Sequence, residues 1–149
     1  MYTSSEPSLV VSETPEPEAE NALRGKKILW VEDDTFLADI IEKKLKETNC
    51  TLWHATSGES ALEITSKEVP DLIVVDLVLP GMDGFEIMRR LKADPKTKDK
   101  PMIILSNLSD KADIQKGEDS GAVFYLVKAM VTLDDIISKL GEVFEQKKA

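Results

Sequence analysis

Four short apolar runs, set apart by stretches of helical period, constrain the fold of this chain more than any other feature. Ile28-Leu29-Trp30-Val31, Leu72-Ile73-Val74-Val75 and Met102-Ile103-Ile104-Leu105 carry no polar residue, and Val123–Val127 is apolar or aromatic throughout. A strand that is apolar at every position, rather than at every second one, is covered on both faces, as in the parallel sheets of α/β proteins. Thr51–His54 is a more polar run and reads as an edge strand. Between the runs, Leu37, Ile40, Ile41 and Leu45 fall at helical spacing, as do Phe85, Met88 and Leu91. Ser57 is placed to cap a helix carrying Ala61, Leu62 and Thr65, and Asp94-Pro95 to end one. A weak helix over Lys111–Ser120 closes at Gly121, and Thr132 with Asp135 forms a capping box before Leu133, Ile136, Ile137, Leu140 and Phe144. Five strand–helix units imply an α/β fold with a doubly wound parallel sheet and short connections.

Composition divides the chain near residue 25. Residues 1–24 hold Pro7, Pro15 and Pro17 and five glutamates against one arginine, so they supply four of the nine net negative charges. Their one apolar cluster is Leu9-Val10-Val11. Such a segment buries too little to offset the entropy of ordering it, so residues 1–24 are expected to form a disordered acidic tail ahead of a domain at 25–149. The net charge of −9 disfavours nucleic acid and anionic membrane surfaces as partners. No apolar run reaches the ~18 residues of a membrane span, and the N-terminus lacks a signal-peptide pattern. Cys50 stands alone, which fits a reducing, cytoplasmic setting.

In open α/β sheets, ligands bind beyond the carboxyl ends of the strands. The first strand runs out into Glu32-Asp33-Asp34, the third into Asp76, the fourth into Ser106-Asn107 and the fifth into Lys128. Three carboxylates together repel unless a cation joins them. Hard oxygen ligands of this kind suit Mg²⁺. Glu32, Asp33 and Asp76 with Mg²⁺ and Lys128 sum to zero charge. Such a site suits a phosphoryl group, with Ser106 donating to it and Asp76, central at a strand end, as the nucleophile.

These residues resemble the receiver domain of two-component response regulators. The matching stretches are Lys27–Asp34, Asp76-Leu77-Val78-Leu79-Pro80-Gly81-Met82-Asp83-Gly84, Ile104–Asn107 and Gly121–Lys128, in order across about residues 25–147. The resemblance implies a flavodoxin-like (βα)5 sheet of order 2-1-3-4-5. It implies Asp76 as the phosphoacceptor, and Mg²⁺ held by Glu32, Asp33, Asp76 and the backbone carbonyl of Val78. Lys128 is similar to the lysine that pairs with the phosphoryl group, Ser106 to the switch hydroxyl, and Tyr125 to the aromatic that moves with it. Asp34 is expected to cap the first helix instead. The implied phosphodonor is a sensor histidine kinase or a histidine phosphotransfer protein. The implied output is a protein contact, or phosphorylation-dependent dimerisation, on the face of the fourth helix, fifth strand and fifth helix. The 21 residues after Lys128 leave room for one helix, so a stand-alone receiver that is a phosphoacceptor rather than an enzyme is expected.

Two rivals remain, a non-phosphorylated adaptor and an aspartyl-nucleophile phosphatase; the latter would need a second aspartate where Val78 stands. Two departures from the family pattern stand out. Ala129 follows the lysine where the family usually has proline, and a cis bond there would cost ~3 kcal/mol, so a trans loop is expected. Asn107 replaces a small residue, and with Val78 and Leu108 it puts bulk beside the site. His54 is expected at the surface, and Trp30 and Trp53 in packing roles.

Overall fold

The strand–helix alternation is present in full in the computed structural model, which describes residues 17–146. In chain order the elements are α1 (Pro17–Leu23), β1 (Lys27–Val31), α2 (Thr35–Lys46), β2 (Thr51–Ala55), α3 (Gly58–Lys67), β3 (Leu72–Val75), α4 (Gly84–Ala93), β4 (Met102–Ser106), α5 (Lys111–Asp119), β5 (Phe124–Val127) and α6 (Leu133–Gln146), with a 3-10 turn at Lys128–Met130. All four strand pairs are parallel, in the order β2-β1-β3-β4-β5, so β2 is an edge as its polarity implied.

The two-residue period of the strands divides the core between the two faces of the sheet. Ile28, Trp30, Leu72, Val74, Ile103 and Leu105 pack under α2 and α6, against Ile41, Leu45, Ile137 and Leu140. Leu29, Val31, Ile73, Val75, Met102 and Ile104 pack on the other face with Ala61, Ile87, Met88 and Leu91 from α3 and α4. Every residue of β3 and β4 is buried, which explains why these strands read as unbroken apolar runs.

The expected caps form. Asp34 Oδ1 accepts from the backbone of Phe36 and Leu37, at 3.0 and 3.2 Å. Ser57 and Ser60 make a reciprocal box. The Thr132 hydroxyl accepts from Asp135 N, and the Asp135 carboxylate from Thr132 N. α4 ends at Ala93, ahead of Asp94-Pro95.

One boundary needs correction. The disordered tail expected through residue 24 does not extend that far, because Pro17–Leu23 is helix α1, docked on α6. Residues 1–16, including Leu9–Val11, lie outside the described residues. The docking is steric in origin. A side chain at Gly141 of α6 would fall 2.4 Å from the carbonyl oxygen of Ala19, so glycine there admits the α1 backbone. Ala19, Ala22 and Leu23, at i, i+3 and i+4, are buried by that contact and by the core. Pro17 begins the helix, and Glu18 and Glu20 in its first turn suit the helix dipole.

Candidate functional site

The ladder runs one bond past the strands and pins the acids by their backbones. Glu32 N donates to Ala55 O at 2.9 Å, and Asp76 N to Val31 O at 3.0 Å. Glu32 and Asp76 are buried, whereas Asp33, next to Glu32 in the chain, is exposed. One carboxylate oxygen from each of Glu32, Asp33 and Asp76 lies within 4.8 Å of the others. Three hard oxygen donors this close fit a divalent cation such as Mg²⁺. Asp34 is outside this group, turned to its cap.

Lys128, entering the 3-10 turn after β5, reaches across the sheet ends. Its Nζ donates to Asp76 Oδ2 at 2.9 Å and to Glu32 Oε2. Burial alone would lower the Lys128 ammonium pKa, but the hydrogen bonds to Asp76 and Glu32 outweigh it and raise it, so the cation persists. Burial pushes the Glu32 carboxyl upward, against the pull of Lys128 and of Trp30. Trp30 Nε1 donates to Glu32 Oε1 at 3.3 Å, so both Glu32 oxygens are occupied. The Asp76 carboxylate is also held on both sides, since Val78 N donates to its Oδ1 at 3.1 Å. No cis peptide bond occurs among the described residues, so the Lys128–Ala129 bond is trans, as expected, and Lys128 still reaches both acids.

A cleft of about 330 Å³ opens over these groups, lined by Asp33, Asp76, Val78, Ser106, Asn107, Leu108 and Lys128. Ser106 is buried at the end of β4, and its Oγ accepts from Leu108 N at 3.3 Å. Leu108 O in turn accepts from the Tyr125 hydroxyl at 2.7 Å. One backbone residue therefore joins the hydroxyl in the cleft to the aromatic ring behind it. Burial, then the charges of Asp113, Asp76 and Asp110, raise the Tyr125 phenol, which keeps it a donor.

The structure thus brings together Glu32, Asp33, Asp76, Ser106 and Lys128, with Val78 at the rim and Tyr125 one contact away. This cluster at the carboxyl ends of a 2-1-3-4-5 sheet matches the model of the response regulator receiver domain over residues 28–140. The chain belongs to the response regulator receiver family. It is 39% identical over 101 residues to the transcriptional regulatory protein AfsQ1 of Streptomyces coelicolor, covering 68% of this chain and 44% of that protein. It is 34% identical over 111 residues to the response regulator PleD of Caulobacter vibrioides, covering 74% of this chain and 24% of PleD. The chain therefore spans less than half the length of these curated relatives. Among solved structures it resembles the receiver domain of the Francisella response regulator 1452, with a TM-score of 0.74 and 28% identity over 83% of this chain and 99% of that one. α1 lies outside the residues matched by the family model. Receiver domains are signalling domains that accept phosphoryl groups from histidine kinases, and they bind Mg²⁺ at an acidic pocket. No helix among the described residues is long and apolar enough to cross a membrane.

Two neighbours of the acids carry more than packing. Trp30 is buried, as expected, yet its indole bonds Glu32. His54 was expected at the surface; it is half-buried, and its Nε2 lies 2.7 Å from the Glu32 carbonyl oxygen. The signal was present in the parallel register, which pairs Trp30 with His54.

Proposed function

We propose that this receiver domain is a phosphorylation switch in which Asp76 takes a phosphoryl group from the phosphohistidine of a sensor histidine kinase or a histidine phosphotransfer protein. The observation that carries this reading is Lys128 bonded to Glu32 and Asp76 at once, in a cleft shared with Asp33 and Ser106. A carboxylate oxygen of Asp76 attacks phosphorus as the phosphorus–nitrogen bond breaks, and the electron pair leaves with the imidazole. Glu32, Asp33, Asp76 and the Val78 carbonyl would hold Mg²⁺, which when bound supplies positive charge against the phosphoryl oxygens. The Lys128 ammonium offers the other cation. Among the described residues the Ser106 hydroxyl donates to no protein acceptor, so its proton is available to a phosphoryl oxygen.

Phosphorylation turns a −1 carboxylate into a group of roughly −2. If Ser106 turns toward that group, its bond from Leu108 N is lost, and Leu108 O shifts under Tyr125. The face of α5, β5 and α6 then changes shape and serves as the output surface for a protein partner or a second receiver. Phe36, Val78 and Met130 are exposed large apolar residues; Val78 and Met130 each follow a site residue (Asp76 or Lys128) by two positions, and Phe36 follows Asp33 by three. This apolar rim around a charged cleft suits a protein donor over a small molecule. Val78 and Leu108 beside Asp76 exclude attacking water, so Val78→Asn is expected to speed acyl-phosphate decay severalfold. An unchanged decay rate would remove Val78 from that role.

The test is intact mass after incubation with Mg²⁺ and a small acyl phosphate donor. One added phosphoryl group is expected in the wild type and none in Asp76→Asn. No gain in the wild type would instead favour the adaptor reading.

A further inference from the structure

We infer that Trp30 and His54 are a pair of positioning residues that fix Glu32 as the immobile member of the metal site. This inference rests on the acidic pocket proposed above to hold Mg²⁺. The two residues sit opposite each other in the β1–β2 register, so their side chains leave the same face of the sheet. From that face they secure Glu32 at two points. Trp30 Nε1 donates to the carboxylate at 3.3 Å. His54 Nε2 lies 2.7 Å from the backbone carbonyl, which only accepts, so the imidazole carries its proton on Nε2 and donates. The Glu32 amide is spent on Ala55 O, and the second carboxylate oxygen on Lys128. Every polar group of Glu32 therefore has a partner.

Asp33 presents the opposite case. Its side chain is exposed and lines the cleft, and no hydrogen bond holds it among the described residues. The two adjacent acids are thereby split into a fixed charge and a free ligand. Outer partners of this kind orient metal-binding carboxylates, and their loss commonly weakens the metal ~10–100-fold.

The experiment uses the full chain and MgCl₂. The protein has two tryptophans, so its indole N–H signals in a proton–nitrogen correlation spectrum are assigned with Trp53→Phe alone. Mg²⁺ is expected to shift the Trp30 indole signal and leave that of Trp53 in place, and Asp33→Asn to abolish the shift. By calorimetry, Trp30→Phe and His54→Leu should each weaken Mg²⁺ about tenfold, and His54→Gln, which still donates, should bind more tightly than His54→Leu. A Trp30 signal that stays fixed while the Asp33 amide reports saturation overturns the inference, as does wild-type affinity in both Trp30→Phe and His54→Leu. No Mg²⁺ binding by the wild type would sink the metal-site reading and this inference with it.

Discussion

On the β1–β3 side of the cleft, Glu32 and Asp76 hang from ladder bonds, and all four of their carboxylate oxygens have partners in Trp30, Val78 and Lys128. On the β4–β5 side, Ser106 keeps one long bond to Leu108 N, and Tyr125 holds the same residue by one bond from its hydroxyl. Both sides come from the same sheet and lie within one cleft. They differ in how many bonds must break for a side chain to move. A phosphoacceptor needs its nucleophile and cations in place before the reaction. A switch needs an element with two arrangements separated by a few kcal/mol, which phosphorylation can bias. Under the proposed function, these needs fall to opposite walls of the cleft.

Removing Lys128 attacks the fixed wall hardest. Lys128→Met leaves Glu32 buried without its cation, and unfolding in urea at neutral pH is expected to show a loss of about 3–5 kcal/mol. Adding Glu32→Gln should return a large part of it. If the single variant is as stable as the wild type, the acids are not held as described.

On the movable wall, the ring of Tyr125 rests on a glycine. A side chain at Gly117 would fall 2.7 Å from Tyr125 Cδ2 and from Ile104 Cδ1. Gly117→Ala is therefore expected to cost about 1–3 kcal/mol by overpacking. It should also displace Tyr125, which thermal unfolding and the aromatic NMR signals would register. Ser106→Ala is expected to cost only about 1 kcal/mol of stability. Its main effect should be to uncouple phosphorylation from the Tyr125 signals. If Tyr125 responds to phosphorylation as fully in this variant as in the wild type, the link through Leu108 is wrong.

The smallest effect is alkaline. Because folding raises the Tyr125 phenol, its contribution to stability is fully present below the unfolded value of ~10 and is lost as pH rises through the folded one. In a Tyr2→Phe background Tyr125 is the one phenol left, and its absorbance should titrate higher folded than in denaturant; equal midpoints would contradict this.

Much of this was legible in the chain because parallel strands covered on both faces must be apolar throughout, and Leu72–Val75 and Met102–Leu105 have no other easy use. The candidates Glu32, Asp76, Ser106 and Lys128 stood out because each directly follows one of those apolar runs. Helix α1 was not. Its period, Ala19-Ala22-Leu23, is short, small and set among glutamates and prolines, and it becomes a helix by docking on Gly141, more than a hundred residues away. The bonds of Trp30 and His54 to Glu32 were missed for a related reason. Composition assigns a tryptophan to packing and a lone histidine to the surface, and only the register of β1 against β2 places both beside the acid.

The central claim is that Asp76 is the acid that becomes acylated. Borohydride reduces an aspartyl phosphate to homoserine, so peptide mapping after phosphorylation and reduction locates the modified residue. Homoserine at position 76, with none at Asp33 or Asp34 and no hydroxynorvaline at Glu32, is the predicted result. Homoserine at Asp33 or Asp34, or an intact Asp76 in a chain that has gained a phosphoryl group, would contradict the account.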